Sequence, residues 1–396
     1  MIGSKIKRLR IAKGLTQQQL IDGLFDRSYL SNIERGKIIP PVETLALLAT
    51  RLEVPLSQLT DYMEVISKVS EMLDNVRKTK DIQLVRKAFT LCVRVEAIES
   101  MIECVLEWSR IQLPNLNQHV ELLEAINHTI FLMGTLDEEF PQNVDLLLCR
   151  ANTYFYLGML DQAILAYKGL EQRDLPNELL GRIKISLGST LIRTLNYKAA
   201  YEKLQEALEL ADLPEALRAR AHQGLGVCCR YLGQWSAAEH YSMLAGKYFL
   251  HKDFNRYIHI QHGLGILWLD KLDFDKAAKY FAEAQEYYRA NHMMLPEAQL
   301  CEEFVRAEFY KGRFEEANAF CNRGLQLLKG LDAALAGKFF LWKSRIYLIL
   351  QEPSREEDAW QAAKGLLGPQ LKTTIDTMDP NMPKEIKQNF YKKIGE

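Results

Sequence analysis

From about residue 144 the chain repeats itself, and that self-similarity limits its fold more than any other feature. A small residue recurs at Ala163, Ala200, Ala238, Ala277 and Ala317, at steps of 37, 38, 39 and 40 residues. Three positions earlier stands a large apolar side chain: Leu160, Tyr197, Trp235, Phe274 and Phe314. About one turn later come Tyr167, Leu204, Ser242, Phe281 and Cys321, and small residues follow again at Ala207, Ala245, Ala284 and Gly324. Upstream of each frame, Ala151, Gly188, Gly226, Gly265 and Val305 offer a place for close helix approach, and Gly158, Gly233 and Gly312 mark turns. A period of this size means two-helix units stacked in a row, since one unit cannot bury its apolar face alone. No stretch alternates like a strand, so the expected fold class is all-α.

The pattern resembles the tetratricopeptide repeat, whose usual period is about 34 residues, so longer helices or turns must absorb the excess. A degenerate unit follows around Phe340, Tyr347, Trp360 and Ala363. Another precedes around Asp81, Ile82, Val85 and Phe89, and residues 103–140 read as one further helical pair. The expected layout is a head over 1–60, a helical linker over 61–80, a repeat domain over 81–368 and a tail or cap over 369–396. In the linker Tyr62, Val65, Ile66, Val69 and Leu73 recur at helical spacing, so movement of the repeats can reach the head. The tail holds Pro369, Pro380 and Pro383, and closes with a short helix bearing Ile386, Phe390 and Ile394.

Composition excludes several classes. Half the 396 residues are apolar and a quarter are charged, which rules out wholesale disorder. No run reaches the roughly 18 apolar residues of a membrane helix, and no apolar leader follows the basic start. Seven cysteines without a Cys-x-x-Cys pair argue against a disulfide framework or a zinc module, so the expectation is a cytoplasmic protein with reduced thiols and no membrane partner. The net charge of −1 hides an asymmetry. Residues 1–60 carry nine Lys/Arg against five Asp/Glu, a net +4, and the rest hold 41 against 46, a net −5. Lys5, Lys7, Arg8, Arg10 and Lys13 stand without an acid among the first thirteen residues. A basic head on an acidic body points to a polyanionic partner.

The head reads as five short helices. The first ends at Gly14; Thr16 caps the second, Gln17 to Leu24, with Gln19 in the capping-box position. Ser28 caps a third through Arg35, Val42 to Leu52 forms a fourth, and Pro55 and Ser57 open a last short turn. Leu20, Leu24, Leu30 and Ile33 form the expected buried set of a helix–turn–helix. The outer face of the third helix then carries Arg27, Ser28, Ser31, Asn32 and Arg35, side chains able to meet base edges and phosphates in a major groove.

The motifs Gly14-Leu15-Thr16-Gln17-x-Gln19-Leu20, Ser28-x-x-Ser31-x-Ile33-Glu34-x-Gly36 and Pro41-x-x-Thr44-Leu45-x-x-Leu48-Ala49 resemble the DNA-binding domain of the Cro/CI repressor class over residues 3–60. The spacing from Thr16-Gln17 to Ile33-Glu34 is similar to that of the peptide-pheromone receptors of Gram-positive bacteria, the PlcR/NprR-like group. The resemblance implies base contacts from Arg27, Ser28 and Asn32, with Ser31 on the same face. It places Gln17 against phosphate at the start of the second helix, and Arg35 and Lys37 along the backbone. Asp26 departs from the pattern; it can orient Arg27 or accept from a cytosine amino group. The resemblance also implies lengthened repeats, double-stranded operator DNA and a short signalling peptide as partners, quorum sensing, and a homodimer.

In a repeat array the first helix of each pair lines a groove. The expected peptide-binding set is Asn152, Tyr156, Arg182, Arg193, Gln223, Arg230, Tyr231, His259, His262 and Arg306. Amides pair with an extended backbone, arginines grip carboxylates, and tyrosines cover apolar side chains. Arg182, Arg193 and Arg230 give an uncompensated basic centre, with Asp145, Asp270 and Glu302 toward the flanks, so a carboxylate-bearing peptide is expected. No phosphate loop, His-Glu-x-x-His or nucleophile elbow occurs, and the expectation is no enzyme, no cofactor and no metal. His259 and His262 lack further ligands, and adjacent Cys228-Cys229 reads as half-buried, a weak redox pair. The alternative reading is an adaptor whose repeats regulate a partner protein, such as a phosphorelay response regulator.

Overall fold

The computed structural model describes residues 2–111, 116–134 and 143–395. Every regular element among them is helical. The chain divides into two compact units, Met1–Thr194 and Leu195–Glu396.

The first unit opens with α1 (Ile2–Ala12), α2 (Gln17–Ile21), α3 (Arg27–Glu34) and α4 (Val42–Arg51). It continues with α5 (Leu56–Thr79), α6 (Ile82–Val95), α7 (Ile98–Ile111), α8 (Leu116–Gly134), α9 (Asn143–Tyr156), α10 (Leu160–Glu171) and α11 (Asn177–Arg193). Thr16 and Gln19 close the expected capping box on α2. Two expectations for the head change. The second helix stops at Ile21 rather than Leu24, because the chain turns at Asp22 and Gly23; Ile21 is fully buried and Leu24 only half. The third helix begins at Arg27 with Asp26 at its N-cap, so Ser28 lies inside the first turn instead of capping it. Gly3 lets α1 sit on α3, since a Cβ there would lie 1.8 Å from the Ile33 carbonyl oxygen.

The expected short last turn and the linker are one helix, α5, of 24 residues. Pro55 starts it, and no glycine or proline interrupts it before Lys80. At 1.5 Å per residue it runs about 36 Å. Leu59 and Tyr62 are buried near its start and Val69, Leu73 and Val76 toward its end, and it packs on α1 and α4 as well as on α6 and α7. The expected helical pair over 103–140 also changes. Residues 103–111 belong to α7, which packs on α6, while 112–115 and 135–140 lie outside the described residues.

The second unit holds α12 (Tyr197–Leu208), α13 (Glu215–Tyr231), α14 (Trp235–Lys252), α15 (Phe254–Asp270), α16 (Phe274–Ala290), α17 (Met294–Tyr310) and α18 (Phe314–Leu328). After α19 (Ala333–Ile349) and α20 (Pro353–Leu367) come α21 (Leu371–Thr377) and α22 (Lys384–Ile394). Helices pair as α13 with α14, α15 with α16, α17 with α18 and α19 with α20. The small and large positions meet as the repeat frame requires: a Cβ on Gly226 would lie 2.5 Å from the Ser242 hydroxyl, and one on Gly265 would lie 2.3 Å from the Phe281 ring. Phe390 on α22 is buried and stacks on Trp360 at 5.6 Å, so the tail caps the last pair.

One turn geometry recurs along the chain. Two residues before α10, α14 and α18 begin, Gly158, Gly233 and Gly312 take φ of 75°, 74° and 77°. Leu195, Leu272 and Gln351 take 61°, 59° and 60° before α12, α16 and α20. The bend itself demands the left-handed region, which glycine enters without strain and leucine does not. Cys228 and Cys229 are fully buried, not half-buried, and burial pushes the Cys228 thiol up to about 12.

Candidate nucleic-acid interface

Beneath α3 lies a buried ion pair. Arg10 on α1 donates to both Glu34 carboxylate oxygens, at 2.6 Å from Nε and 3.0 Å from Nη2. Its Nη1 donates to the Leu15 carbonyl at 2.8 Å. The Gln17 amide donates to Glu34 at 2.7 Å, and its carbonyl oxygen accepts from Arg27 Nε at 3.4 Å. A chain of contacts thus runs from a bidentate core pair to an exposed arginine. Gln17 serves here to orient Arg27, the part left open for Asp26.

Arg27, Ser28, Arg35 and Lys37 are exposed, and Gln17, Ser31 and Asn32 are half-buried. Gln17, Arg27, Ser28, Ser31 and Arg35 line one concavity of about 550 Å³ together with Lys7 and Glu34. The structure thus brings five of the seven expected residues to one concavity along α3, with apolar Leu30 and Ile33 inward, while Asn32 and Lys37 lie outside its lining.

The basic start of the chain is spent differently from the expectation. Lys5 is buried; its Nζ donates to the Val95 carbonyl at 3.3 Å and lies 3.5 Å from the Glu96 carboxylate. Burial pulls its ammonium below the usual lysine range, which Glu96 partly offsets. Arg8 Nη2 donates to the Glu96 carbonyl at 2.7 Å, and Lys13 pairs with Glu53. Lys5 and Arg8 therefore join the head to the C-terminal end of α6, where unpaired carbonyls favour cations. With Arg10 on Glu34, two of these early cations, Lys5 and Arg10, are buried, while Arg8 and Lys13 make their contacts at the surface. Sequence counting missed this because the partners lie far along the chain.

In the first unit, Tyr167 donates from its hydroxyl to Asn152 Oδ1 at 2.6 Å, and Tyr156 is 57 % exposed. Arg193 stacks over Phe155 at 4.7 Å and donates to the Phe155 carbonyl, and Arg182 pairs with Glu178 at 3.3 Å.

Of the expected basic centre, Arg182 and Arg193 lie in the first unit and Arg230 in the second, where it is compensated. Arg230 and Arg306 each reach Asp270 at 2.9 Å, and Arg306 also meets Glu303 at 3.2 Å. Arg306 is 4 % exposed and His262 8 %, so neither is open to a ligand as expected. Burial holds the His262 imidazole down at about 4, with His259 and Arg230 adding to the shift. Tyr288 Oη lies 3.1 Å from His259 Nδ1 and 3.4 Å from His262 Nδ1. Gln223 accepts from Arg256 at 3.5 Å, while Tyr231 is 47 % exposed, stacked on Tyr197 at 4.1 Å and under Arg230 at 4.3 Å. The polar row continues into the tail: buried Asp379 accepts from Arg345 at 2.5 Å and from Tyr310 at 2.6 Å, and Asn381 donates to the Asp270 carbonyl at 2.9 Å. Asp270, expected at a flank, is the carboxylate that neutralises Arg230.

A head of short helices that presents a polar face from α3 is a DNA-reading module. The helix-turn-helix family model matches residues 6–59. An uncharacterised HTH-type transcriptional regulator of Sinorhizobium fredii, y4dJ, is 46 % identical over 55 residues, 14 % of this chain and 71 % of the relative. The chain belongs to the helix-turn-helix transcriptional regulators. In fold it is similar to the apo form of the quorum sensor NprR from B. thuringiensis, at 12 % identity over 92 % of this chain and 98 % of that one, with a TM-score of 0.62. It is also similar to the signal-transduction ATPase PH0952 from Pyrococcus horikoshii, which has a tetratricopeptide-repeat sensor, at 13 % identity over 93 % of this chain and 54 % of that one, with a TM-score of 0.57. Among the described residues no helix is long and apolar enough to cross a membrane.

Proposed function

We propose that this DNA-binding regulator takes its signal as a short peptide and serves quorum sensing as a homodimer. In this reading residues 1–60 read the operator, 61–80 couple head to repeats, and 81–368 bind peptide and hold the two copies together. The observation that carries the DNA side is the exposed face of α3 set on the Arg10–Glu34–Gln17–Arg27 chain of contacts. Arg27, Ser28 and Asn32 meet bases, with Ser31 beside them, and Arg35 and Lys37 meet phosphates. Two heads on a two-fold operator set half-sites about one helical turn, ~34 Å, or a multiple apart.

The peptide side draws support from the fold shared with NprR, described as a quorum sensor. It also rests on polar and aromatic side chains that stay accessible in each unit: Asn152, Tyr156, Arg182 and Arg193 in the first, and Gln223, Tyr231 and His259 in the second. With Arg230 and Arg306 already paired, the peptide's carboxylate goes to Arg193 and not to the centre of the second unit. Peptide shifts operator affinity by preferring one conformation of the repeats. The test is operator binding by the full chain with and without a synthetic peptide copied from a small secreted reading frame beside its gene. A saturable change in affinity that Tyr156→Ala and Arg193→Ala abolish supports the reading. Unchanged affinity with every such peptide overturns it.

A further inference from the structure

The second unit has a basic concavity that the peptide reading does not use. It lies within a single helix pair, between the N-terminal half of α13 and the C-terminal half of α14, and has a volume of about 430 Å³. Arg218, His222, Lys247, His251 and Lys252 line it against one acid, Glu215. Elsewhere in this unit cations find carboxylates: Arg230 and Arg306 on Asp270, Arg289 and Arg323 on Glu297, Arg345 on Asp379. Among the described residues, no ion pair involves Arg218, Lys247, His251 or Lys252, and Glu215 forms none either. Unpaired positive charge gathered in one hollow is an unfavourable arrangement unless an anion joins it.

The end of α14 explains part of the charge, because His251 and Lys252 face the negative pole of their own helix. It does not explain Arg218 or Lys247. Arg218 is also held in place: its Nε donates to the Leu213 carbonyl at 3.1 Å, which fixes the guanidinium and leaves its terminal nitrogens for another acceptor. His222 stands behind it, stacked on Tyr241 at 5.8 Å. Burial lowers the His222 imidazole below the usual range, and His240 and Arg218 push it the same way. Leu244 and Tyr248 supply an apolar wall.

We infer that this hollow binds a small organic dianion of the phosphate-monoester class. Arg218 forks two phosphate oxygens, Lys247 adds a point charge, and the organic body rests on Leu244 and Tyr248. The volume suits a small ligand, since such sites span roughly 300–1,000 Å³. An extended peptide would instead cross several helix pairs, whereas this hollow is confined to one.

The test uses the full chain with phenyl phosphate as probe, followed by calorimetry and by the histidine ring resonances. Saturable binding is expected, with the His222 imidazole pKa rising on saturation because the anion favours imidazolium. Arg218→Gln and Lys247→Ala should each weaken binding about tenfold, the loss of one charge-assisted contact. Both side chains lie at the surface of the hollow, so the fold is not at stake. Lys271→Ala, an exposed cation outside the hollow, should change nothing. Equal weakening by Lys271→Ala, or no saturable binding at millimolar probe, overturns the inference. Tighter binding of a glutamate-rich peptide than of phenyl phosphate overturns it too, since the hollow would then dock a macromolecule. Inorganic phosphate binding as tightly as phenyl phosphate would remove the organic body from the assignment and overturn that class.

Discussion

The head and the second unit both place arginine against a buried carboxylate, yet to opposite effect. In the head, Arg10 is taken inward by Glu34 so that Arg27 and its neighbours can stay outside, steadied through Gln17. In the second unit Arg230 and Arg306 are the residues taken inward, by Asp270, and the face that should have offered them to a ligand does not. The same residue type is a foundation in one place and a lost contact in the other. What decides is whether a carboxylate stands opposite on the next helix but one, a matter of packing rather than of local pattern.

The largest test of this comparison removes the two carboxylates. Asp270→Ala takes the shared carboxylate from two guanidiniums, of which Arg306 keeps Glu303, and Glu34→Ala takes it from one, and breaking a buried pair costs about 3–5 kcal/mol. Denaturant unfolding should show the greater loss for Asp270→Ala; the reverse order would mean that Arg230 reaches solvent and the second unit's arginines are open after all. Next comes acid. His262 titrates at about 4 when folded against 6.5 unfolded, so the unfolded chain binds the extra proton first. Stability from this group is full above pH 6.5 and is lost as pH falls toward 4, about 3 kcal/mol across the window. The difference in melting temperature between the wild type and His262→Gln should be flat above that window and shrink inside it; a flat difference throughout would place His262 in water.

A smaller effect is expected on the outer face of α3. Asn32→Ala should cost ~1–3 kcal/mol at a selected operator and little elsewhere, whereas Arg35→Ala should weaken all sequences alike and reduce the salt slope by about one. Fluorescence anisotropy at several salt concentrations separates the two, and equal losses on operator and random DNA for Asn32→Ala would move the recognition face. The smallest effect belongs to Arg182, whose pair with Glu178 is half exposed on both sides. Arg182→Ala should change stability by no more than ~0.5 kcal/mol, near the limit of thermal unfolding. A larger loss would show that surface pairs in these repeats behave like the buried ones.

Much of this fold was legible because its rules are local. The alternation of small and large residues set which positions meet, and Gly226 does face Ser242 and Gly265 does face Phe281. The capping box on α2 followed from Thr16 and Gln19 alone. What could not be read are partners joined by packing. Arg10 and Glu34 stand 24 residues apart, Arg230 and Asp270 40, and Asn381 reaches back 111. The continuity of α5 was obscured for a different reason, since Pro55 and Ser57 look the same at the start of one turn and at the start of seven. The exposed face of α3 was legible because it is defined by what the apolar residues leave over.

That unbroken α5 has a consequence for how such a protein can be recombined. Modular exchange of a reading head among regulators presumes a seam, and residue 60 is not one. A crossover there would fall on the fifth residue of a continuous rod and join two halves whose apolar stripes were never matched. The natural seam is Lys80, whose left-handed backbone at φ 58° ends the rod. Even there a graft would inherit an obligation, because the Val95 and Glu96 carbonyls at the end of α6 would need a new lysine and arginine to replace Lys5 and Arg8.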